Sequence, residues 1–425
     1  MATEILKQRY DDLRMAQSKE GVRSPVSADE AFVVKLAHLI LSYGVEVRAS
    51  DTHIEPGAVG TRIRYRVDGL LHEMLQVPSE ISEPLIRSVK LKASMQTDTV
   101  GRSKPQDGRF DFEGAGRKLD MRLSSFPTLY GDVLTIRMLD RSAPLLPLER
   151  LGFPGTMLAE FERLIQRPNG LILVTGPANS GKTTTLYGAL NKLRSPRIKI
   201  ITLEDPVEYQ VDGIDQGQIN PAAGLTFATG LRAILRQDAN IILVGEMRDK
   251  ETTDIAIRAA LTGHLVFSTI HTRHSIGAIS RLIDMGIEQH LILASVTGIV
   301  AQRLVRVLCS KCTVPDPSAA ILLTKLWTQE VGEASPPPPV AGLSKGKGCA
   351  SCNMTGYQGR IGIFELLSLT DSLRHLILQY SSTELYRTTV KTGVLRTMLL
   401  DGLQKASQGV TSVEEVLRVI GESEE

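Results

Sequence analysis

Residues Gly176, Pro177, Ala178, Asn179, Ser180, Gly181, Lys182 and Thr183 follow the apolar run LILVT and lead into TTLYGALNKL. They spell G-x-x-x-x-G-K-[ST] between a strand-forming and a helix-forming run, and no other segment restricts the fold as much. Such a loop works only where a buried strand ends and a helix begins, so a parallel α/β sheet has to surround it. In that setting backbone N–H groups and the helix N-terminus face phosphate, Lys182 reaches the β and γ oxygens, and the Thr183 hydroxyl ligates Mg²⁺. Thr184 completes the expected binding set. Ala178 and Asn179 are unusual choices, but Asn tolerates a left-handed backbone, so the loop is expected to close.

The sequence around the loop has the matching grammar. Besides 171–175, the runs IKIITLE (198–204), NIILVGE (240–246) and HLVFSTI (264–270) are short, β-branched and nearly all apolar, as buried parallel strands are. In open α/β sheets the ligand sits at the carboxyl ends of the strands, and here those ends carry Glu204, Asp205, Glu246 and His271.

A chain of 425 residues has room for two to three domains. Residues 1–26 are polar and read as a flexible arm. Ser27-Ala-Asp-Glu30 fits a capping box, and Phe32, Val33, Leu36, Ala37, Leu39 and Ile40 then follow with helical spacing. Arg62-Ile-Arg-Tyr-Arg-Val67, a turn at Asp68-Gly69 and LLHEML read as a hairpin with one arginine-bearing face, whose plainest use is solvation. More arginine-studded strands follow up to about 140, and prolines punctuate a linker at 141–152. The organisation is thus an α+β domain over 27–140 and the sheet domain over 153–425.

All four cysteines fall into two knuckles, Cys309-Ser-Lys-Cys312 and Cys349-Ala-Ser-Cys352. Two C-x-x-C turns complete a closed Cys₄ shell of the kind that holds structural zinc, which makes 309–352 a small zinc lobe and leaves 353–425 as a helical C-terminal region. Disulfide pairing is the competing use and is disfavoured in a reducing compartment. The segment SPPPPV (335–340) is expected to project as a stiff arm. Lys plus Arg number 49 against 47 Asp plus Glu, a net charge of +2, so there is no global attraction to nucleic acid. No apolar run is long enough to span a bilayer, and the start lacks a signal-peptide core, so the expected location is cytoplasmic.

The segments ASDTHIEP, GPANSGKTTTLY, TLEDPVEY, LRAILRQDANIILVGEMRDKET, ALTGHLVFSTIHT and CASCNMTGYQGRIGIFEL, in this order, resemble the signatures of type II secretion and type IV pilus assembly ATPases. The resemblance runs from about 30 to 425. It implies a PAS-like N-terminal domain hinged to a RecA-like motor and six subunits in a ring with ATP and Mg²⁺ at subunit contacts. An inner-membrane platform protein would be the partner, with peripheral attachment through it and no direct contact with nucleic acid. Position by position, it makes Glu204 the base or orienter of the attacking water and Glu246 the carboxylate behind Mg²⁺. His264 and His271 become reporters of the γ-phosphate, and Arg109, Arg122 and Arg137 the arginines that approach nucleotide. Thr52 in place of isoleucine and GPANSGKT in place of GPTGSGKT depart from the usual pattern without removing a catalytic group. Only about 30 residues precede the capping box, too few for the extra N-terminal domain of many such ATPases. The Cys₄ lobe favours assembly over pilus retraction. A RecA-like nucleic-acid translocase and a nucleotide-gated switch with negligible turnover are the other readings, and 4% aromatic content speaks against a strand-stacking channel.

Overall fold

The computed structural model describes residues 2–19, 30–98, 104–140, 145–332 and 335–421. The chain forms two compact units, Met1–Ala143 and Pro144–Glu425.

The first unit contains α1 (Ala2–Lys19), α2 (Glu30–Glu46), β1 (Asp51–Gly57), β2 (Gly60–Val67), β3 (Leu70–Val77), α3 (Ser79–Lys92), β4 (Gln106–Gly114), β5 (Arg117–Thr128) and β6 (Gly131–Leu139). Its strands form one antiparallel sheet in the order β3-β2-β1-β6-β5-β4. Asp68 (φ 48°) and Gly69 (φ 90°) make the two-residue turn of the expected β2–β3 hairpin, where both central residues need positive φ. Alternation along the strands sends Ile54, Ile63, Tyr65, Leu134 and Ile136 into a core shared with α2 and α3. Ser27 of the anticipated capping box lies outside the described residues.

Residues 2–19 differ from the expected flexible arm. They form α1, and Leu6 and Tyr10 are buried in the core with Leu13 packed beside them. Those three positions have i, i+4, i+7 spacing, which is one helix face; the many charged residues between them hide it. Arg9 clasps Glu46 through both carboxylate oxygens, at 2.8 and 2.9 Å, and ties α1 to the end of α2.

The second unit contains α4 (Gly155–Ile165), β7 (Gly170–Thr175), α5 (Lys182–Leu193), β8 (Ile200–Glu204), β9 (Asp215–Gln218), α6 (Phe227–Ile234), β10 (Ile241–Val244), α7 (Lys250–Leu261), β11 (Leu265–Ile270), α8 (Ser275–Asp284), α9 (Gln289–Ser295) and β12 (Val296–Leu308). The remainder is β13 (Thr313–Pro315), α10 (Ala319–Val331), β14 (Ser344–Gly346), β15 (Tyr357–Ser368), α11 (Asp371–Gln379), α12 (Ser382–Lys391), α13 (Met398–Ser407) and α14 (Val413–Gly421). The large sheet runs β15-β12-β7-β11-β10-β8-β9. Its pairs are parallel except β15, which is antiparallel to β12. All residues of β7, β8, β10 and β11 are buried, as their apolar runs require when helices cover both faces.

Two C-terminal expectations need correction. Residues 357–368 belong to a strand of the main sheet rather than to a helical region: they pair antiparallel with β12, and the run Gly362–Leu367 is buried there. The SPPPPV segment does not project. Trp327 of α10 donates its Nε1–H to Ser335 O at 3.1 Å, and Pro338 is buried.

In the first unit Lys90 Nζ meets Asp132 Oδ2 at 2.6 Å, with side chains 2% and 8% exposed, and Ser125 Oγ donates to the same oxygen. Lys90→Met strands a buried carboxylate, and this is expected to destabilise the chain by about 3–5 kcal/mol. Urea unfolding of the full chain measures it, and a change under about 1 kcal/mol would contradict a tight buried pair.

Candidate active site

The phosphate loop connects β7 to α5 at the carboxyl edge of the sheet. Gly176 has φ +154°, and a Cβ there would lie 2.5 Å from Ser180 Oγ and 2.6 Å from Gln302 O, so no larger residue fits. Asn179 adopts φ 61°, the left-handed conformation expected of it, and Gly181 (φ 86°) caps α5. Gln302 of β12 holds the loop from beneath: its Nε2 donates to Ser180 O at 2.7 Å and its Oε1 accepts from Thr185 Oγ1 at 2.7 Å. The Ser180 hydroxyl is buried and without a hydrogen-bond partner among the described residues. Lys182 Nζ donates to Gly176 O (3.0 Å) and Pro177 O (2.8 Å). Burial lowers the Lys182 ammonium to about 8, against the opposing fields of Glu246 and Glu208.

The acidic strand ends divide into two kinds. Glu204 is buried, with its carboxylate turned toward α5; it accepts from Tyr187 Oη at 2.6 Å, Thr202 Oγ1 at 2.6 Å and Gln216 Nε2 at 3.4 Å. Burial raises its pKa, and these donors only partly offset that. Glu246 instead stays at the edge, bound to Arg248 Nη2 at 2.6 Å and 3.8 Å from His271 Nε2. Burial and the Lys182 charge lower the pKa of His271, which also hydrogen-bonds the main chain of Gly176. Glu208, half-buried and within the field of Lys182, is a carboxylate that the sequence reasoning passed over. Its signal was present in the second glutamate of TLEDPVEY.

The two histidines separate. His271 follows the last residue of β11 and His264 precedes the first, so His264 lies at the far edge of the sheet, where its Nδ1 is 3.1 Å from Ala259 O. His274 is the nearer second histidine; its Nδ1 accepts from Gly277 N and caps α8.

In the first unit, cross-strand pairing sets Arg66, Asp51, Arg137, Arg122 and Arg109 in one row on one sheet face. Arg109 and Arg122 share Asp120, the latter at 3.7 Å, while Arg137 lies 3.3 Å from Asp51. The three predicted arginines are therefore brought together, each beside a carboxylate.

The four cysteine sulfurs lie within 4.8 Å of one another. Cys309–Cys349, Cys312–Cys352 and Cys349–Cys352 are each 3.8 Å apart, which matches the spacing of about 3.8 Å that four thiolates take around a tetrahedral ion with Zn–S of about 2.3 Å. Burial opposes ionisation of Cys352, but the N–H groups of Cys349 and Gly356, each 3.2 Å away, together with the neighbouring thiols, lower its pKa, while burial and the neighbouring thiols raise that of Cys312. The donor set fits a structural metal ion.

The family described as Type II/IV secretion system protein matches residues 26–418. The chain belongs to that family. The Type II secretion system ATPase E of Vibrio cholerae serotype O1 is 44% identical over 93% of this chain and 77% of that protein. The Type IV pilus assembly ATPase PilB of Myxococcus xanthus is 42% identical over 92% of this chain and 68% of that protein. Among solved structures, the Legionella pneumophila ATPase DotB shares the fold with a TM-score of 0.64 at 22% identity, covering 90% of this chain and 95% of that one. The pilus retraction motor PilT with bound ADP aligns with a TM-score of 0.59 at 26% identity, covering 90% and 96%. This secretion ATPase is a P-loop enzyme on a RecA-like sheet.

Phosphate favours the charged form of Lys182 and raises its pKa, whereas the free site titrates near 8. Nucleotide binding to this ATPase is therefore expected to take up a fraction of a proton at pH 8.5–9 and none from Lys182 near pH 6.5, where it is already charged. Calorimetry in buffers of different ionisation enthalpy reads the uptake; Lys182→Arg should bind without it, and equal uptake by that variant would refute the assignment.

Proposed function

We propose that the chain is a cytoplasmic ATPase whose six-membered ring drives pseudopilus or pilus assembly through an inner-membrane platform protein. The observation that carries this reading is the phosphate loop with Lys182 under the combined fields of Glu246 and Glu208, in a chain whose curated relatives are named for type II secretion and type IV pilus assembly. No helix among the described residues is long and apolar enough to cross a membrane, consistent with peripheral attachment through partners.

Residues 176–184 hold the nucleotide phosphates: the loop N–H groups and Lys182 bind them, and Thr183 and Glu246 would hold Mg²⁺. The ion neutralises phosphate charge when bound. Water orientation passes from Glu204 to Glu208. Glu204 gives three of its acceptor sites to Tyr187, Thr202 and Gln216, so it acts as the strut that fixes α5 against β8. His271, 3.8 Å from Glu246 and within the field of Lys182, is placed to respond to the terminal phosphate. Arg109, Arg122 and Arg137 supply positive charge to phosphoryl oxygens when released from Asp120 and Asp51. That acidic pairing also argues against a nucleic-acid translocase, which needs an open basic groove. ATP hydrolysis stimulated by membrane platform protein rather than by DNA tests the system-level reading.

Glu208→Gln is expected to lower kcat by about 10²–10⁴-fold with nucleotide Kd nearly unchanged. Glu204→Gln should lower Tm and reduce kcat less than about tenfold. Steady-state assays on both variants decide, and the reverse ranking would return the water to Glu204.

Cys309, Cys312, Cys349 and Cys352 would hold zinc as a closed set of four thiolates, so the metal would shape the lobe and take no part in hydrolysis. Metal analysis should find about one zinc per chain. Cys349→Ser with Cys352→Ser should lose the metal and loosen the C-terminal region while ATP affinity survives. Metal-free protein with four reduced thiols, prepared without chelator, would sink the assignment.

A further inference from the structure

The segment His271–Ser275 between β11 and α8 takes one anchor from each of three neighbouring strands. Thr175 of β7 accepts from Thr272 N at 2.8 Å, and Arg303 of β12 donates to Arg273 O at 3.0 Å. Glu365 of β15 accepts from Ser275 N at 2.8 Å and Ser275 Oγ at 2.5 Å. Glu365 is 1% exposed, and Phe364, the residue before it in β15, donates its N–H to Asp401 Oδ2 of α13 at 2.8 Å. One buried carboxylate thus serves the N-terminal turn of α8, where unpaired N–H groups and the helix field favour negative charge, while the adjoining peptide of β15 holds α13.

Neither helix needs Glu365 as its cap. His274 already caps α8, and Thr397 caps α13 through Leu400 N. What Glu365 adds, together with the adjoining Phe364, is a link between them. From α13 the contacts continue into the cysteine lobe: Leu400, Leu403 and Ala406 share a core with Leu323, Trp327 and Leu343. Gly342 packs so closely on Ser407 that a Cβ would lie 2.2 Å from its carbonyl oxygen. Leu308 N, one residue before Cys309, donates to Val410 O at 2.9 Å.

We propose that Glu365 is a positioning residue that locks the His271–Ser275 segment at the phosphate edge to α13, so that a shift of this segment during nucleotide turnover moves the cysteine lobe. The proposal rests on the reading of residues 176–184 as the ATP site. Its physical content is a two-ended hydrogen-bonded joint in a buried environment, where such a joint transmits displacement rather than absorbing it.

The test is hydrogen exchange of residues 398–410 and of the lobe in the full, zinc-loaded chain, with and without a slowly hydrolysed ATP analogue. In the wild type the analogue should change exchange in both regions. Glu365→Gln keeps the acceptor for Ser275 but loses the charge. It should cut that change at least about threefold and lower kcat about tenfold, with analogue Kd within about threefold. Ser275→Ala, which removes only the hydroxyl donor, should act in the same direction and serves if the glutamate variant folds poorly. A wild-type lobe that ignores the analogue would overturn the proposal, as would variants that lose Tm but keep the full exchange response. Lys182→Ala separates the two readings. Retained analogue binding there brings down the loop assignment and this proposal with it, whereas lost binding combined with an intact response in Glu365→Gln brings down only the role of Glu365.

Discussion

The Gln302 side chain holds the rest of the site in place. Its amide joins Ser180 O and Thr185 Oγ1, one on each side of the turn into α5, and it does so from a strand that is itself in parallel register with β7. A buried amide with both ends satisfied fixes a loop, and removing it would leave orphaned partners that each cost about 1–3 kcal/mol. The tight turn at Gly176 follows from the main chain of the same residue, because the Gln302 backbone carbonyl and the Ser180 hydroxyl occupy the space a side chain would need. Arg303, the next residue, then reaches the opposite wall at Arg273. Two consecutive residues of β12 therefore set the distance between the phosphate loop and the segment that follows β11.

Electrostatic preorganisation completes the site. The ammonium of Lys182 is partly buried, which its charge tolerates poorly, and the Gly176 and Pro177 carbonyls accept from it, while Glu246 is held by Arg248 beside His271. On the proposed function, Glu246 fixed in this way need not reorganise when phosphate charge arrives, whereas Lys182 exchanges two loop carbonyls for phosphate oxygens. Glu204 contributes from behind, since its buried carboxylate keeps Tyr187 and hence α5 in register with β8.

The sequence made the parallel strands and the loop legible because each carries a local signature: a buried apolar run, a glycine at a forced conformation, a lysine at fixed spacing. Asn179 is an instance where side-chain chemistry alone anticipated the backbone. What could not be read depends on tertiary partners. Glu204 and Glu208 are four residues apart in one motif, and only the end of β8 at Glu204 decides which carboxylate turns inward. His264 and His271 flank a strand of six residues, so a fixed separation in sequence becomes opposite edges of a sheet. The strand β15 was hidden for another reason: its partner β12 lies on the far side of the cysteine segment, and nothing local announces a pairing across that distance.

That arrangement has a bearing on how the molecule is organised. The chain leaves the large sheet at Leu308 and rejoins it at Tyr357, and these two residues are direct cross-strand partners. Everything between them, both cysteine knuckles and α10 included, is topologically the connection of a β-hairpin grown into a folded body. Its entry and exit are one strand spacing apart, about 4.8 Å, a gap that a short turn closes equally well. The motor sheet thus places no demand on the length of that excursion, and a lobe of different size, or a simple turn, could be accommodated there without shifting the register of any strand that carries the site.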